Sequence, residues 1–507
     1  MRLDEIPSVI VQAGGRGSRL GRLTANKPKC LLSVDGEPLL YRLFRQLPRA
    51  RFVIVADHHA DVLAAYLATV PPKVDHVVVR ATGEGTLSGL STAVSVVDDT
   101  SAFLILWCDL FFAEFPTAEL GDRVLVGLSD RFRCRWSVDD QGRLVEVASD
   151  RRGVAGLFAV PSRKHLPDLP EQGEFVRHLR TSSTPVDTVV VPGMREFGTL
   201  EAVRGYAQEH GGQTARFFNE VEIRDEVVVK AARLRQYDHL IEAEAHWYET
   251  VTDLGFPHVP RLRGRSPLTI ERIDGVHPFD LDLTPDGQAR VVTGIMDCFA
   301  RLHALSPAPP DPESDRMVYH EKTVSRLASV RRLLPNVDRP SLVINGRTCR
   351  NPLHPRHADW FAATMDRLPA VDHALVHGDP TFSNTLVDRA GGIWLIDPRG
   401  TFGRATCYGD PRYDWSKLLY SVEGNYDQFN RRNFALTVAG DVVTLRIASN
   451  GWERQGPLVR ERTGWFGSDV DVIHALIWLS LTGYALDDVD SAMGAFYQGV
   501  YLLEKAA

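Results

Sequence analysis

The sequence is poor in cysteine, and none is placed for metal or redox work. Six are scattered through 507 residues (Cys30, Cys108, Cys134, Cys298, Cys349, Cys407), with no C-x-x-C pair. That spacing excludes zinc-ribbon and thioredoxin-like chemistry and argues against a disulfide framework. Long apolar runs are missing too: no stretch approaches the ~20 residues needed to span a bilayer. The start, MRLDEIPSVIVQAGG, puts acidic residues ahead of a short apolar run and lacks the basic opening and cleavage site of a secretory signal. A cytoplasmic protein without membrane insertion is expected. Positive charge is not in excess either. A formal charge of −7 offers no general field for gripping nucleic acid, although a few local lysines and a metal suffice for a nucleotide. There is no internal repeat and no low-complexity tail, and nothing fixes an oligomeric state.

What is present divides into two texts. Residues 8–13 (SVIVQA) form an apolar run entering Gly14-Gly15, which reads as a buried strand followed by a glycine turn. Helical spacing at 38–47 follows, then a strand at 51–57, a helix at 58–70, a strand at 76–81, a helix at 88–97 and a strand at 102–109. Strand–helix alternation predicts an α/β unit with a mostly parallel sheet. Gly211-Gly212, flanked by polar residues, marks the best boundary. Domains are expected at 1–208 and 213–507. After the boundary, 216–232 reads as two strands joined by Arg224-Asp225-Glu226, followed by a helix at 237–254, a strand at 268–273, a long helix at 289–305, a Pro/Asp-rich loop at 307–315 and helix over 470–505. This predicts a small sheet lobe, about 213–275, and a helical lobe, about 276–507.

Two strings carry chemistry. The first runs Ala13-Gly14-Gly15-Arg16-Gly17-Ser18-Arg19-Leu20, then Leu23-Thr24, Asn26-Lys27-Pro28-Lys29 and Leu31-Leu32. Glycines let backbone N–H groups approach an anion. Arg19 and Lys29 offer charge against triphosphate and pyrophosphate. The string resembles the G-G-x-G-x-R-L…L-T…P-K-x-L-L signature of the sugar-phosphate and phosphocholine nucleotidylyltransferases, over roughly residues 7–208. The resemblance implies a Rossmann-like nucleotidyltransferase domain with a mixed, mostly parallel sheet. It implies nucleotide contacts from Gly14, Gly15, Gly17 and Ser18, and from Gly85-Thr86 as a second nucleotide loop. It also implies Mg²⁺ held by Asp109 and by the acid at 196. Two departures stand out. Glu196 occupies a position where the family has aspartate, and residues 146–152 lack the E-K-P-like segment of many sugar-1-phosphate members.

The second string is His377-Gly378-Asp379-Pro380-Thr381-Phe382-Ser383-Asn384, followed by Leu395-Ile396-Asp397-Pro398-Arg399-Gly400. It resembles the H-G-D-x-x-x-x-N…I-D-x-x-G signature of the aminoglycoside phosphotransferase and choline kinase superfamily. The resemblance implies a two-lobed, protein-kinase-like α+β domain. Asp379 would orient a substrate hydroxyl, while Asn384 and Asp397 would hold Mg²⁺ on the nucleotide. Lys230, on a strand, is the candidate phosphate lysine. Glu244 is its candidate partner, with Glu242 as the alternative. The family's glycine-rich loop is missing; FNEVEIRDEV stands there, so phosphate coverage is expected from backbone near Asn219 and from metal. Asp414 reads as a helix N-cap, and Tyr408, Tyr413, Trp465 and Phe466 read either as core or as an aromatic substrate box.

Together the two resemblances imply a bifunctional enzyme acting on small molecules. ATP phosphorylates a hydroxylated metabolite, and a second NTP (CTP, UTP or another) donates an NMP to that phosphate. The product would be an NDP-activated sugar, polyol or choline-like amino alcohol for surface polysaccharide. The alternative is a kinase alone, such as an antibiotic-modifying one, with a non-catalytic N-terminal module.

Overall fold

The computed structural model describes residues 1–210, 219–232 and 235–506. The expected boundary at Gly211-Gly212, and the opening of the expected strand at 216–218, lie outside the described residues. The chain divides into two compact units, Met1–Gly212 with Asp487–Asp490, and Gln213–Leu486 with Ser491–Ala507.

The first unit is built on one mixed sheet. Strands β1 (Ser8–Gln12), β2 (Arg51–Ala56), β3 (His76–Arg80) and β4 (Phe103–Trp107) lie in the order β4-β1-β2-β3, all parallel. Near-continuous apolar text such as FVIVA and FLIL is what strands covered on both faces require. Helices α1 (Leu39–Gln46), α2 (Ala60–Thr69) and α3 (Leu90–Ser95) make the crossovers; α3 is shorter than its sequence pattern because Gly89 enters it in a left-handed conformation. Beyond β4 the sheet turns antiparallel. The long strand β6 (Gly153–Val160) pairs with β4 and with β5 (Val124–Ser129), and β7 (Val186–Val190) lies parallel to β5. Ile10, Val53, Phe103, Ile105 and Phe158 meet in the core under this sheet.

The second unit opens with a four-stranded antiparallel sheet: β8 (Asn219–Ile223), β9 (Val227–Ala232), β10 (Leu262–Arg265) and β11 (Leu268–Glu271), in the order β8-β9-β11-β10. Helix α4 (Asp238–Asp253) packs against it through Ile241, Ala245, Trp247 and Tyr248. The remainder is helical, with α5 (Pro285–Ala304), whose N-cap Thr284 accepts from Gly287 N. Next come α6 (Pro411–Val422), α7 (Asp469–Leu481) and α8 (Val489–Ala506). The helical text expected over 470–505 is two helices, α7 and α8. A feature the sequence pattern did not separate is a second four-stranded sheet set into this lobe, in which the hairpins Ser341–Ile344/Arg347–Arg350 and Phe434–Ala439/Val442–Ile447 join edge to edge. Within the loop expected at 307–315, a short helix starts at Pro312, capped by Asp311. Among the described residues no helix is long and apolar enough to cross a membrane.

Candidate active sites

In the first unit β1 leads away to β2 and β3, and the chain then returns to place β4 on the other side of β1. Open α/β sheets bind ligands where the strand order reverses, outside the carboxyl ends of the strands. That crevice lies between the ends of β1 and β4, where Gln12 and Trp107 stand opposite one another. Gly14, Gly15, Gly17 and Ser18 follow β1, and Asp109 follows β4. Glu196 reaches the same place from the short strand Arg195–Glu196, which pairs antiparallel with Leu110–Phe111; Phe197 N donates to the Asp109 carbonyl at 2.9 Å.

The charges there are interlocked. The Lys29 ammonium is ion-paired with the Asp109 carboxylate. Burial works against the Lys29 charge, but Asp109, together with smaller contributions including Glu196, raises its pKa overall. Glu196 is pushed up to about 7 by burial and then by the charge of Asp109. Arg19 lies 3.5 Å from Glu196 with its side chain 67% exposed. The motif's leucine explains the loop's placement. Leu20 is fully buried in a cluster with Leu32, Phe111 and Phe197, so the glycine loop is pinned to the two segments bearing Asp109 and Glu196. The second loop arrives by hydrogen bonds, because Gln12 Nε2 donates to the Thr86 carbonyl at 2.9 Å. The Thr86 hydroxyl accepts from Phe175 N at 2.8 Å. Gly85 has φ +87°, and a Cβ there would lie 2.2 Å from the Gly173 carbonyl oxygen, so only glycine fits.

In the second unit Lys230, on β9, donates to Glu244 Oε2 at 2.6 Å and lies 3.1 Å from Asp397 Oδ1. The partner is thus Glu244, on the buried face of α4, and not Glu242. Burial opposes the Lys230 charge, and the two acids together raise its pKa. Asp397 follows the hairpin Thr385–Asp388/Ile393–Leu395 in a left-handed conformation, φ +55°. Its N–H donates to the Tyr248 hydroxyl of α4 at 3.2 Å. At Gly400 a Cβ would come within 2.4 Å of the Ala243 carbonyl oxygen. The glycine of the I-D-x-x-G string thereby lets α4, and Glu244 with it, approach the Asp397 loop.

The 377–384 loop is held from below. His377 is buried; burial lowers its pKa and keeps the ring neutral. Nε2 then donates to the Ile396 carbonyl at 2.9 Å, and Nδ1 accepts from Asp379 N at 3.3 Å. Asp414 is not the helix N-cap expected from sequence. Asp410 caps α6 by accepting from Arg412 N. Asp414 lies fully buried one turn in, and its carboxylate accepts from His377 N at 2.8 Å and Gly378 N at 2.9 Å. Asn384 Nδ2 donates to the Asp379 carbonyl at 2.7 Å. The sequence reading missed Lys417, whose ammonium sits 2.8 Å from Asp379 Oδ1 and 4.7 Å from the Tyr420 ring centre. The available signal was its place three residues after Asp414 on a helix every residue of which, from Arg412 to Val422, is buried; a lysine in such a helix needs a partner.

Other expectations are redirected. Asn219 lies in β8 opposite Ala232, at the end remote from the Arg224–Glu226 turn. The four aromatics form no single box. Tyr408 and Phe466 pack on the core of the unit, Trp465 is 66% exposed, and Tyr413 lines a separate cavity. Among the described residues no group of three or more His, Cys, Asp or Glu side chains is placed to hold a metal ion.

Comparisons with known proteins give two family matches along the chain. Residues 9–120 match the MobA-like NTP transferase domain, and residues 207–440 match the phosphotransferase enzyme family. A UTP–glucose-1-phosphate uridylyltransferase, AglF of Haloferax volcanii, is 28% identical over 136 residues. The match covers 26% of this chain and 53% of the relative, so the chain spans about half of that protein's length. Among solved structures, the inositol-1-phosphate CTP transferase from T. maritima is 18% identical, covering 41% of this chain and 98% of its own (TM-score 0.32). The CTP:phosphocholine cytidylyltransferase from Streptococcus pneumoniae is 15% identical, covering 40% and 99% (TM-score 0.33). The gentamicin–APH(2")-IIa complex is 13% identical, covering 56% and 87% (TM-score 0.36). The chain thus joins a nucleotidyltransferase domain of the MobA-like NTP transferase type to a phosphotransferase domain of the phosphotransferase enzyme family.

Proposed function

We propose that the two domains act in series on one small metabolite. In the second unit Asp379 orients a substrate hydroxyl and takes its proton as the oxygen attacks the γ-phosphorus of ATP. Lys230, fixed by Glu244, steadies the nucleotide phosphates. In the first unit an oxygen of the new phosphate attacks the α-phosphorus of a second NTP, and pyrophosphate leaves toward Arg19 and Lys29. The glycine loops at 14–18 and 85–86 offer backbone N–H groups to the triphosphate. No covalent enzyme intermediate is needed, so the rate gain comes from positioning and preorganised charge.

The residues present fit Mg²⁺, which takes one or two carboxylates together with substrate phosphates. Asp109 with Glu196, and Asp397 with Asn384, are the donors. The raised pKa of Glu196 beside Asp109 marks a pair of acids whose repulsion a divalent cation relieves. When bound, the ion neutralises charge developing on phosphate oxygens.

The observation that carries this reading is the presence, in one chain, of two separately assembled charge clusters, Lys29–Asp109–Glu196 and Lys230–Glu244–Asp397 with Asp379. The likeness to a uridylyltransferase for glucose 1-phosphate supports UTP as the second nucleotide and a phosphorylated metabolite as acceptor. Such NDP-activated products are precursors for surface polysaccharide. The test is a mass-spectrometric search for product with purified protein, Mg²⁺, ATP, all four NTPs and a panel of sugars, polyols and amino alcohols. An NDP-linked metabolite is expected. Phosphorylated metabolite alone, inert toward every NTP when supplied back, would remove the nucleotidyl step.

A further inference from the structure

Helix α6 meets the 377–384 loop through side chains at helical spacing. Asp414, Lys417 and Ser421 stand three and four residues apart, and residues so spaced share one side of a helix. Each grips the loop at a successive point. The Asp414 carboxylate accepts from His377 N and Gly378 N. The Lys417 ammonium lies 2.8 Å from Asp379 Oδ1. The Ser421 hydroxyl accepts from Phe382 N at 3.0 Å. Asp414 and Ser421 hold backbone, whereas Lys417 holds a side chain, the one assigned as base. Its role there therefore rests on the kinase reading of this unit. The pair is withdrawn from water, with Lys417 7% exposed and Asp379 8%. The ammonium also lies against aromatic rings, 4.7 Å from the centre of Tyr420, 5.9 Å from Tyr413 and 6.0 Å from Tyr426. Tyr420 and Tyr426 are themselves stacked at 4.2 Å. Such rings attract a cation through their faces without offering it a rival carboxylate.

We propose that Lys417 is a positioning residue for phosphoryl transfer: from its place on α6 it fixes the Asp379 carboxylate in the orientation that receives an acceptor hydroxyl. In that step the hydroxyl oxygen forms a bond to the γ-phosphorus, and its proton passes to Asp379. The bond between the γ-phosphorus and the bridging oxygen breaks, and ADP keeps the electron pair. A carboxylate on a short side chain still rotates unless one oxygen is tied. A charge-assisted bond from a buried ammonium ties it firmly, and the rings packed on that ammonium limit where it can move. Reaction rates fall steeply when a reacting group is displaced even slightly. Lys230 works elsewhere, since it is matched by Glu244 and Asp397. The two lysines thus divide their work, one steadying the nucleotide and the other the base. Loss of Lys417 should cost turnover and spare nucleotide affinity.

The test measures ADP release from Mg²⁺-ATP by the full-length protein with glucose, galactose, mannose, mannitol, glycerol and choline. Kinetic constants are taken on whichever of these wild type turns over fastest. Lys417→Met should lower kcat about 10²-fold with the KM for ATP unchanged, and Lys417→Arg should recover most of the loss. In the Asp379→Ala background Lys417→Met should cost nothing further, because a residue acting through Asp379 is silent once that carboxylate is gone. A merely structural role would cost the same in both backgrounds. Thermal melts establish folding, and Lys417→Gln, which keeps a donor without the charge, replaces Lys417→Met if that variant does not fold. A wild-type kcat in the folded variant, or an equal loss with and without the Asp379 carboxylate, overturns the inference and leaves the kinase reading standing. Binding of ATP without ADP release from wild type on any acceptor of the panel overturns the kinase reading and this inference with it.

Discussion

The two sites are built on different plans. In the phosphotransferase unit each charged group is held by a partner from another element. Lys230 is held by Glu244, Asp379 by Lys417, and the 377–378 backbone by Asp414. In the nucleotidyltransferase unit Lys29, Asp109 and Glu196 are interlocked, but the loop above them is not. Arg19 is two-thirds exposed, and among the described residues no atom comes within 4 Å of where a Cβ on Gly15 would lie. One site is braced by ion pairs and hydrogen bonds from several elements. The other presents a pinned but open loop over two crowded acids.

The sharpest way to break the comparison is to silence each site alone. Asp379→Ala should cut phosphorylation about 10²- to 10⁴-fold while leaving pyrophosphate release from a supplied phosphometabolite at wild-type rate. Asp109→Ala should do the converse, lowering pyrophosphate release about 10²- to 10³-fold. Steady-state assays of the two half-reactions read both. Next in size, Leu20→Ala removes the buried anchor of the open loop. It should cost about 2–5 kcal/mol of stability by denaturant melt, together with weakened NTP binding and unchanged phosphorylation. Smaller again, Asp414→Asn leaves buried backbone N–H groups short of an acceptor, at about 1–3 kcal/mol. As a positioning residue it should lower the kcat of phosphorylation more than the KM for ATP.

The smallest effect is a pH dependence confined to the second unit. His474 is fully buried, and burial, then Arg460, Lys505 and Lys417, pull it down to about 3 from 6.5. A histidine held neutral in the fold binds its proton more readily unfolded. Its contribution is therefore complete above about 6.5 and is lost as the pH falls toward about 3. His474→Gln should shrink the drop in melting temperature between about pH 7 and pH 4.5; an unchanged drop would assign the acid sensitivity elsewhere.

Much of this was readable because both sites are announced by local strings. The glycine loop and its leucine, the H-G-D loop with Asn384, and Asp397 at the end of an apolar hairpin all sit within short windows where backbone need dictates residue type. The strand–helix alternation of 51–109 was legible because buried parallel strands are continuously apolar. What was illegible depends on distant pairing. Lys417 acquires meaning only when α6 is laid under the 377–384 loop. Asp414 resembled a cap because acids near helix starts usually are caps, yet Asp410 does the capping and Asp414 faces inward. The hairpins at 341–350 and 434–447 pair with each other far along the chain, Val343 with Val442, so neither declares its sheet by itself. The four aromatics were grouped by type, whereas packing sends them to three different places.

The central claim is that one chain makes a phosphometabolite and then consumes it. The most direct measurement isolates the phosphorylated product accumulated by the Asp109→Ala protein and offers it, with CTP or UTP, to the Asp379→Ala protein, following pyrophosphate. Stoichiometric pyrophosphate and an NDP-linked product are predicted. No pyrophosphate from any NTP with that isolated product would contradict the account.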